Sequence, residues 1–187
     1  MRKIIMVVFI LIGVIGTGYG VRAVQINAKY PILNNTGDIE KNVVLWQNRG
    51  GDVDPTLIKV EHLGKSNTYV AFLKNRTGEI GIAILKEGPN KNLRIHTTSY
   101  GKNDAAYYVQ YYGVNTNKGN YGIIVGKDPT NKFSFIRAEL MGDRFAYTVQ
   151  VPKKDYFFFV NKLPKENGRK KSANLYLLDE KKQEINY

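Results

Sequence analysis

Four tyrosines crowd the segment from Ala105 to Val114, and a basic run, Arg169-Lys170-Lys171, lies near Lys162 and Lys165. These are the residues whose types and spacing best suit recognition chemistry. On an extended strand side chains alternate, so Tyr107 and Tyr111 share one face and Tyr108 and Tyr112 the other. If that strand has a wet side, one pair of rings is exposed and can stack on a sugar or meet a protein. A second sheet or loop covering the pair is the structural alternative. The basic run suits a phosphate-bearing polymer or a lipid headgroup, and serves equally well as a solvated guard on a sheet edge.

Residues that could support catalysis are sparse. Asp52 and Asp54 form an Asp-x-Asp pair beside Gly50-Gly51, a type used for calcium or glycosidic chemistry. No EF-hand spacing follows them, and Pro55 makes a turn the simpler reading. His62 and His96 are the two histidines. Neither has a second metal ligand at short spacing, and no Gly-x-Ser-x-Gly elbow accompanies Ser99 or Ser134. Both histidines fall in predicted strands, where a hydrogen-bonded structural role is expected. Gly126-Lys127-Asp128 resembles the end of a phosphate loop, but Gly122 stands one residue too close and Asp128 replaces the required hydroxyl. A turn through Asp128-Pro129 fits better. No cofactor or metal site is expected, and non-enzymatic binding is favoured over the alternative, an exported hydrolase using Asp52, Asp54, His62 or His96.

Composition narrows the partners. The chain has 187 residues, no cysteine and a formal net charge of +12, with a pI of about 9.7. The absence of cysteine excludes a disulfide scaffold, a thiol nucleophile, a cysteine-type zinc site and a lipid-modified cysteine. Removing Arg2 and Lys3 from +12 leaves +10 on the remainder. That excess favours anionic partners such as wall polymer or lipid headgroups. The abundant Lys, Asn, Ile and Tyr suggest an AT-rich bacterial gene, pointing toward a Gram-positive source.

The elements that carry these residues follow a leader. After Met1-Arg2-Lys3, the stretch from Ile4 to Val21 is uncharged and mostly apolar. A transmembrane helix needs about 17 to 25 such residues. A secretory signal has an apolar core of about 7 to 15 residues and a small-residue cleavage site. Gly18-Tyr19-Gly20 is a poor cleavage site, so an uncleaved anchor over 1–22 is favoured over a secreted product. The basic start places the rest of the chain outside the cytoplasm. That compartment also disfavours nucleic acid as a partner. A juxtamembrane linker is predicted over 23–41, where Tyr30-Pro31 and Asn34-Asn35-Thr36-Gly37-Asp38 supply breakers.

From Asn42 to Tyr187 the pattern predicts about ten short strands, with Val43-Val44-Leu45-Trp46 as a brief first apolar run. Tyr69–Leu73 and Ile80–Leu85 flank a turn ending in Gly78, which reads as a hairpin. The small residues Gly81 and Ala83 share one face and imply close packing above it. Phe133–Leu140 and Phe145–Val151 form a second hairpin pattern, and Tyr156–Val160 reads as buried on both faces. The fold class expected is all-β, an antiparallel β-sandwich or barrel-like domain after a single N-terminal helix. The leader, the Tyr-Pro linker, the block from Gly122-Ile123-Ile124-Val125-Gly126 through Tyr156–Val160 and the ending from Leu177 to Ile185 together resemble small membrane-anchored extracytoplasmic β proteins of Gram-positive bacteria. The resemblance implies an exported β domain and carries over no site residues; binding to an anionic envelope polymer or an envelope protein is expected from the charge and the aromatic residues instead.

Overall fold

A computed structural model describes residues 19–51, 53–101, 107–142, 144–164 and 172–185. Asp52, Arg169, Lys170, Lys171 and most of the apolar leader lie outside the described residues. Among the described residues two α-helices, α1 over residues 19–29 and α2 over Thr36–Gln47, and a 3-10 turn over Asn48–Gly50 precede ten strands. The strands are β1 Thr56–His62, β2 Thr68–Lys74, β3 Ile80–Glu87, β4 Leu93–Tyr100, β5 Tyr108–Thr116, β6 Gly119–Lys127, β7 Phe135–Leu140, β8 Ala146–Gln150, β9 Tyr156–Lys162 and β10 Ala173–Leu178. All pairings are antiparallel and form three sheets: β1-β2-β3-β4, β5-β6-β9 and β10-β7-β8.

The alternation of side chains stacks these sheets. Val70 and Phe72 of β2 and Ile80, Ile82 and Ile84 of β3 meet Tyr121, Ile123 and Val125 of β6 in one buried cluster. The opposite face of β6 and β9 supplies Ile124 and Phe157 to a second cluster with Ile136, Ala138 and Leu177 of the third sheet. The β5-β6-β9 sheet is therefore a middle layer, covered on both sides. That is why β6 is apolar almost without alternation and why Phe157 and Phe158 are packed in opposite directions. The other face of β2 and β3 buries Ala71, Leu73, Ala83 and Leu85 with Ile39 and Val43 of α2. The small-residue face of β3 is thus the one beneath α2, with the ring of Tyr100 lying over Gly81. The order of layers is helix, first sheet, middle sheet and third sheet, one more layer than a two-sheet sandwich.

The region over 23–41 differs from the expected linker. It is helical over 23–29, and Ile32 then pairs with Leu93 through two backbone hydrogen bonds, of 3.1 and 2.7 Å. The boundary expected at residue 42 falls inside α2. The breakers mark helix ends here: Pro31 separates the helices, and the Asn35 side chain accepts from the Asp38 backbone N–H at 2.9 Å as the N-cap of α2. Val43 to Trp46 is the C-terminal half of that helix, and of those four residues only Val43 is fully buried. Replacing Asn35 by alanine should lower the stability of the folded chain by about 1 kcal/mol, the usual cost of a lost helix cap. Thermal unfolding of the two proteins compares them directly, and an unchanged midpoint would show that α2 does not depend on this cap.

Candidate binding surface

β1 is an edge of the first sheet and β9 an edge of the middle sheet. The two edges lie on one flank, because side chains of the first sheet reach over rings of β9. The Lys59 ammonium lies 5.3 Å from the centre of the Phe158 ring, and the Lys74 ammonium 5.4 Å from that of Tyr156. Lys127 pairs with Tyr156 in the sheet register, and its ammonium reaches the β2–β3 turn at Gly78. Gly78 has φ of 83°, the left-handed turn geometry that its missing Cβ permits. Lys59 also pairs with Glu61 at 2.7 Å, an exposed contact that stabilises little. Lys153 and Lys154, both exposed, precede β9 with the exposed Asp155 between them and the strand. Beside Lys153 a groove of about 730 Å³ is lined by Phe133, Phe135, Gln150 and Phe159. Each cation–ring contact is worth about 0.5–1 kcal/mol when exposed, and it leaves the ammonium able to meet an anion.

The tyrosine segment is divided differently from the exposed face considered above. Both faces of β5 are covered: Tyr108 and Tyr112 pack toward the first sheet, and Tyr107 and Tyr111 toward the third. Tyr107 lies at the margin, with the Lys132 ammonium 4.3 Å from its ring centre and Phe133 against it edge-on. Tyr111 points inward, and its hydroxyl and that of Tyr147 on β8 converge over Gly122. A Cβ there would lie 2.8 Å from one oxygen and 2.7 Å from the other, so only glycine admits both rings. Neither hydroxyl has a hydrogen-bond partner among the described residues. Burial pushes Tyr111 up to about 12 and raises Tyr147 further, with Tyr111 adding to the effect on Tyr147. Tyr107 and Tyr111 therefore do not form an open stacking platform.

The residues considered for catalysis are dispersed or structural. His62 stacks on Tyr69 with ring centres 4.2 Å apart and has a ring nitrogen against the Ser66 carbonyl. His96 stands on β4, the opposite edge of the same four-stranded sheet. Adjacent strands lie roughly 4.8 Å apart, which separates the two histidines by about three strand spacings. Asp54 is an exposed turn residue with φ of 45°. Asp128 is buried and organises its own turn, accepting from the Phe133 backbone at 3.3 Å and the Thr130 hydroxyl at 3.0 Å. Among the described residues no group of three or more His, Asp or Glu is placed to hold a metal ion. The lysine–aromatic flank spans four strands of two sheets, so its members lie far apart in sequence, and no short motif announces it. Comparison of the chain with protein families, curated proteins and solved structures finds no match.

Proposed function

We propose that the chain is a membrane-anchored, extracytoplasmic β protein of the cell envelope that binds anionic wall polymer without catalysing a reaction. The observation that carries this reading is the flank where Lys59 and Lys74 lie over the rings of Phe158 and Tyr156, with Lys127 at its end. The ammonium groups themselves lie over the rings, that of Lys59 also paired with Glu61, and an extended polyanion that displaces Glu61 can follow such a row. The remaining +10 after the first three residues supplies the long-range attraction. Arg169-Lys170-Lys171 adds three of those charges in one run. The uncharged stretch from Ile4 to Val21 supports a location at the outer surface of the membrane, since its length and basic start suit an anchor. No helix among the described residues is long and apolar enough to cross a membrane, so anchoring rests on that stretch.

Immobilised anionic wall polymer and the detergent-solubilised full chain test the reading. Retention at low salt and release at high salt are expected, because the screening length falls from about 8 Å at physiological salt to about 3 Å at 1 M. Lys59, Lys74 and Lys127 changed together to glutamine should weaken retention at least tenfold with the β spectrum intact. The Arg169, Lys170 and Lys171 triple glutamine variant separates the contribution of the basic run. Absence of retention at low salt, or parent-like retention by both triple variants, would remove anionic polymer as the ligand.

A further inference from the structure

Of the eight large apolar residues most exposed among the described residues, six lie between Tyr19 and Trp46. Val21 is 58% exposed, Val24 70%, Leu45 58% and Trp46 38%. In α1, Val21, Val24 and Ala28 follow the i, i+3, i+7 spacing and form one stripe. Ala28 also lines a groove of about 380 Å³ together with Leu45 and Trp46 of α2. The stripe therefore runs along α1 and into the groove as one apolar face. Arg22 and Lys29 flank it along α1, and the Arg49 guanidinium lies 4.9 Å from the centre of the Trp46 ring. The acids of α2 are engaged elsewhere: Asp38 accepts from the Leu33 backbone N–H and Glu40 from that of Leu57. The face is thus apolar with a cationic rim.

What covers this face is indicated by where the chain comes from. The uncharged stretch ending at Val21 enters at the head of the same stripe. We infer that α1 leaves the membrane strongly tilted, seating its apolar stripe and the Leu45–Trp46 end of α2 in the headgroup layer of an anionic bilayer. This inference rests on the anchor reading of the leader. Tryptophan favours that layer, and Arg22, Lys29 and Arg49 can meet lipid phosphates while their stems lie on the apolar surface. Length distinguishes the two possible postures. From Arg22 to Lys29 a helix rises about 10 Å, whereas the headgroup layer is roughly 5–8 Å deep on each side. An upright α1 would lift Trp46 clear of the lipid, and a strongly tilted one brings it into the headgroup layer.

Trp46 is the only tryptophan, so its fluorescence reports this one position. The full chain is reconstituted into phosphatidylcholine vesicles containing phosphatidylglycerol, and flotation establishes insertion. Headgroup-attached nitroxide lipid should quench Trp46 several-fold more than acrylamide in the water does. Val24→Asp, at an exposed position, should abolish most of the lipid quenching while leaving the circular dichroism unchanged. Vesicles that float with Trp46 fully open to acrylamide and untouched by nitroxide would overturn the docking and leave the anchor standing. Failure to float would remove both. Shielding that grows with the protein-to-lipid ratio would assign the face to a second copy of the chain and overturn the inference, as would parent-like quenching in Val24→Asp.

Discussion

Phe72→Ala should cost about 3–5 kcal/mol, the range for removing a buried aromatic ring from a packed core. Phe72 is fully buried on β2, and its ring stacks on Phe158 of β9 with centres 5.7 Å apart. The change would empty the junction of the first and middle sheets, and little of that space can be refilled because the surrounding strands are fixed by their ladders. A domain of this size is typically stable by about 5–15 kcal/mol, so the variant should approach the unfolding threshold. Denaturant titration measures the loss. Ile58→Ala is the control: Ile58 is on β1 of the same sheet but 37% exposed, and its loss should be well under 1 kcal/mol. Equal, small effects at both positions would mean that the two sheets do not pack face to face at Phe72.

Alkaline pH should unfold the chain cooperatively. Burial, the main cause, raises Tyr100, Tyr111 and Tyr112 each to about 12 and raises Tyr147 further. An unfolded tyrosine titrates near pH 10. Below that pH both states hold their phenolic protons, and the stabilisation linked to these groups is fully present. Between about 10 and 12 the unfolded chain releases protons that the folded chain retains, so stability falls as pH rises. It is lost once pH passes the folded values. Tyrosinate absorbance should show an early phase from the more accessible rings and a late phase coinciding with loss of the β spectrum. Tyr147→Phe should shift the late phase to higher pH. A single smooth ionisation near pH 10 with the β spectrum retained would show that these hydroxyls are open to water.

The strands were largely legible because each hairpin carries its own signal. Gly78 ends the β2–β3 turn, and Tyr147 and Val149 alternate with Ala146, Thr148 and Gln150 along β8. Tyr156–Val160 also read correctly as covered on both faces, a sign of the middle layer. The step from that sign to three sheets was not legible, since local period does not say which strands share a sheet. β9 returns to β6 across a complete hairpin, and β10 pairs with β7. α2 was hidden for a different reason. Its inward face needs only Ile39 and Val43, and Val43-Val44-Leu45-Trp46 is richer in strand-forming residues than in helix formers. Tertiary burial against the first sheet overrides that preference. For the candidate surface, positive charge was readable, but placing Lys59 and Lys74 over β9 rings required the stacking itself.

The connectivity of the sheets has a consequence for how the chain folds as it is synthesised. The first sheet is built wholly from consecutive hairpins, so it can form as soon as residues up to Tyr100 have emerged. Its inner face, with Val70, Phe72 and Ile82, then waits uncovered until the middle sheet arrives. The other two sheets interleave in the chain: β5 and β6, then β7 and β8, then β9 back to the middle and β10 back to the outer layer. Neither of them is complete until well into the last quarter of the sequence, at β9 for the middle sheet and β10 for the outer one. A nascent chain therefore spends the interval between β4 and β9 with an exposed oily sheet face and unpaired strand edges, the state most prone to sticking to its neighbours. Stalling or truncation within that interval, rather than near the N-terminus or after β10, is where this protein would need a chaperone most.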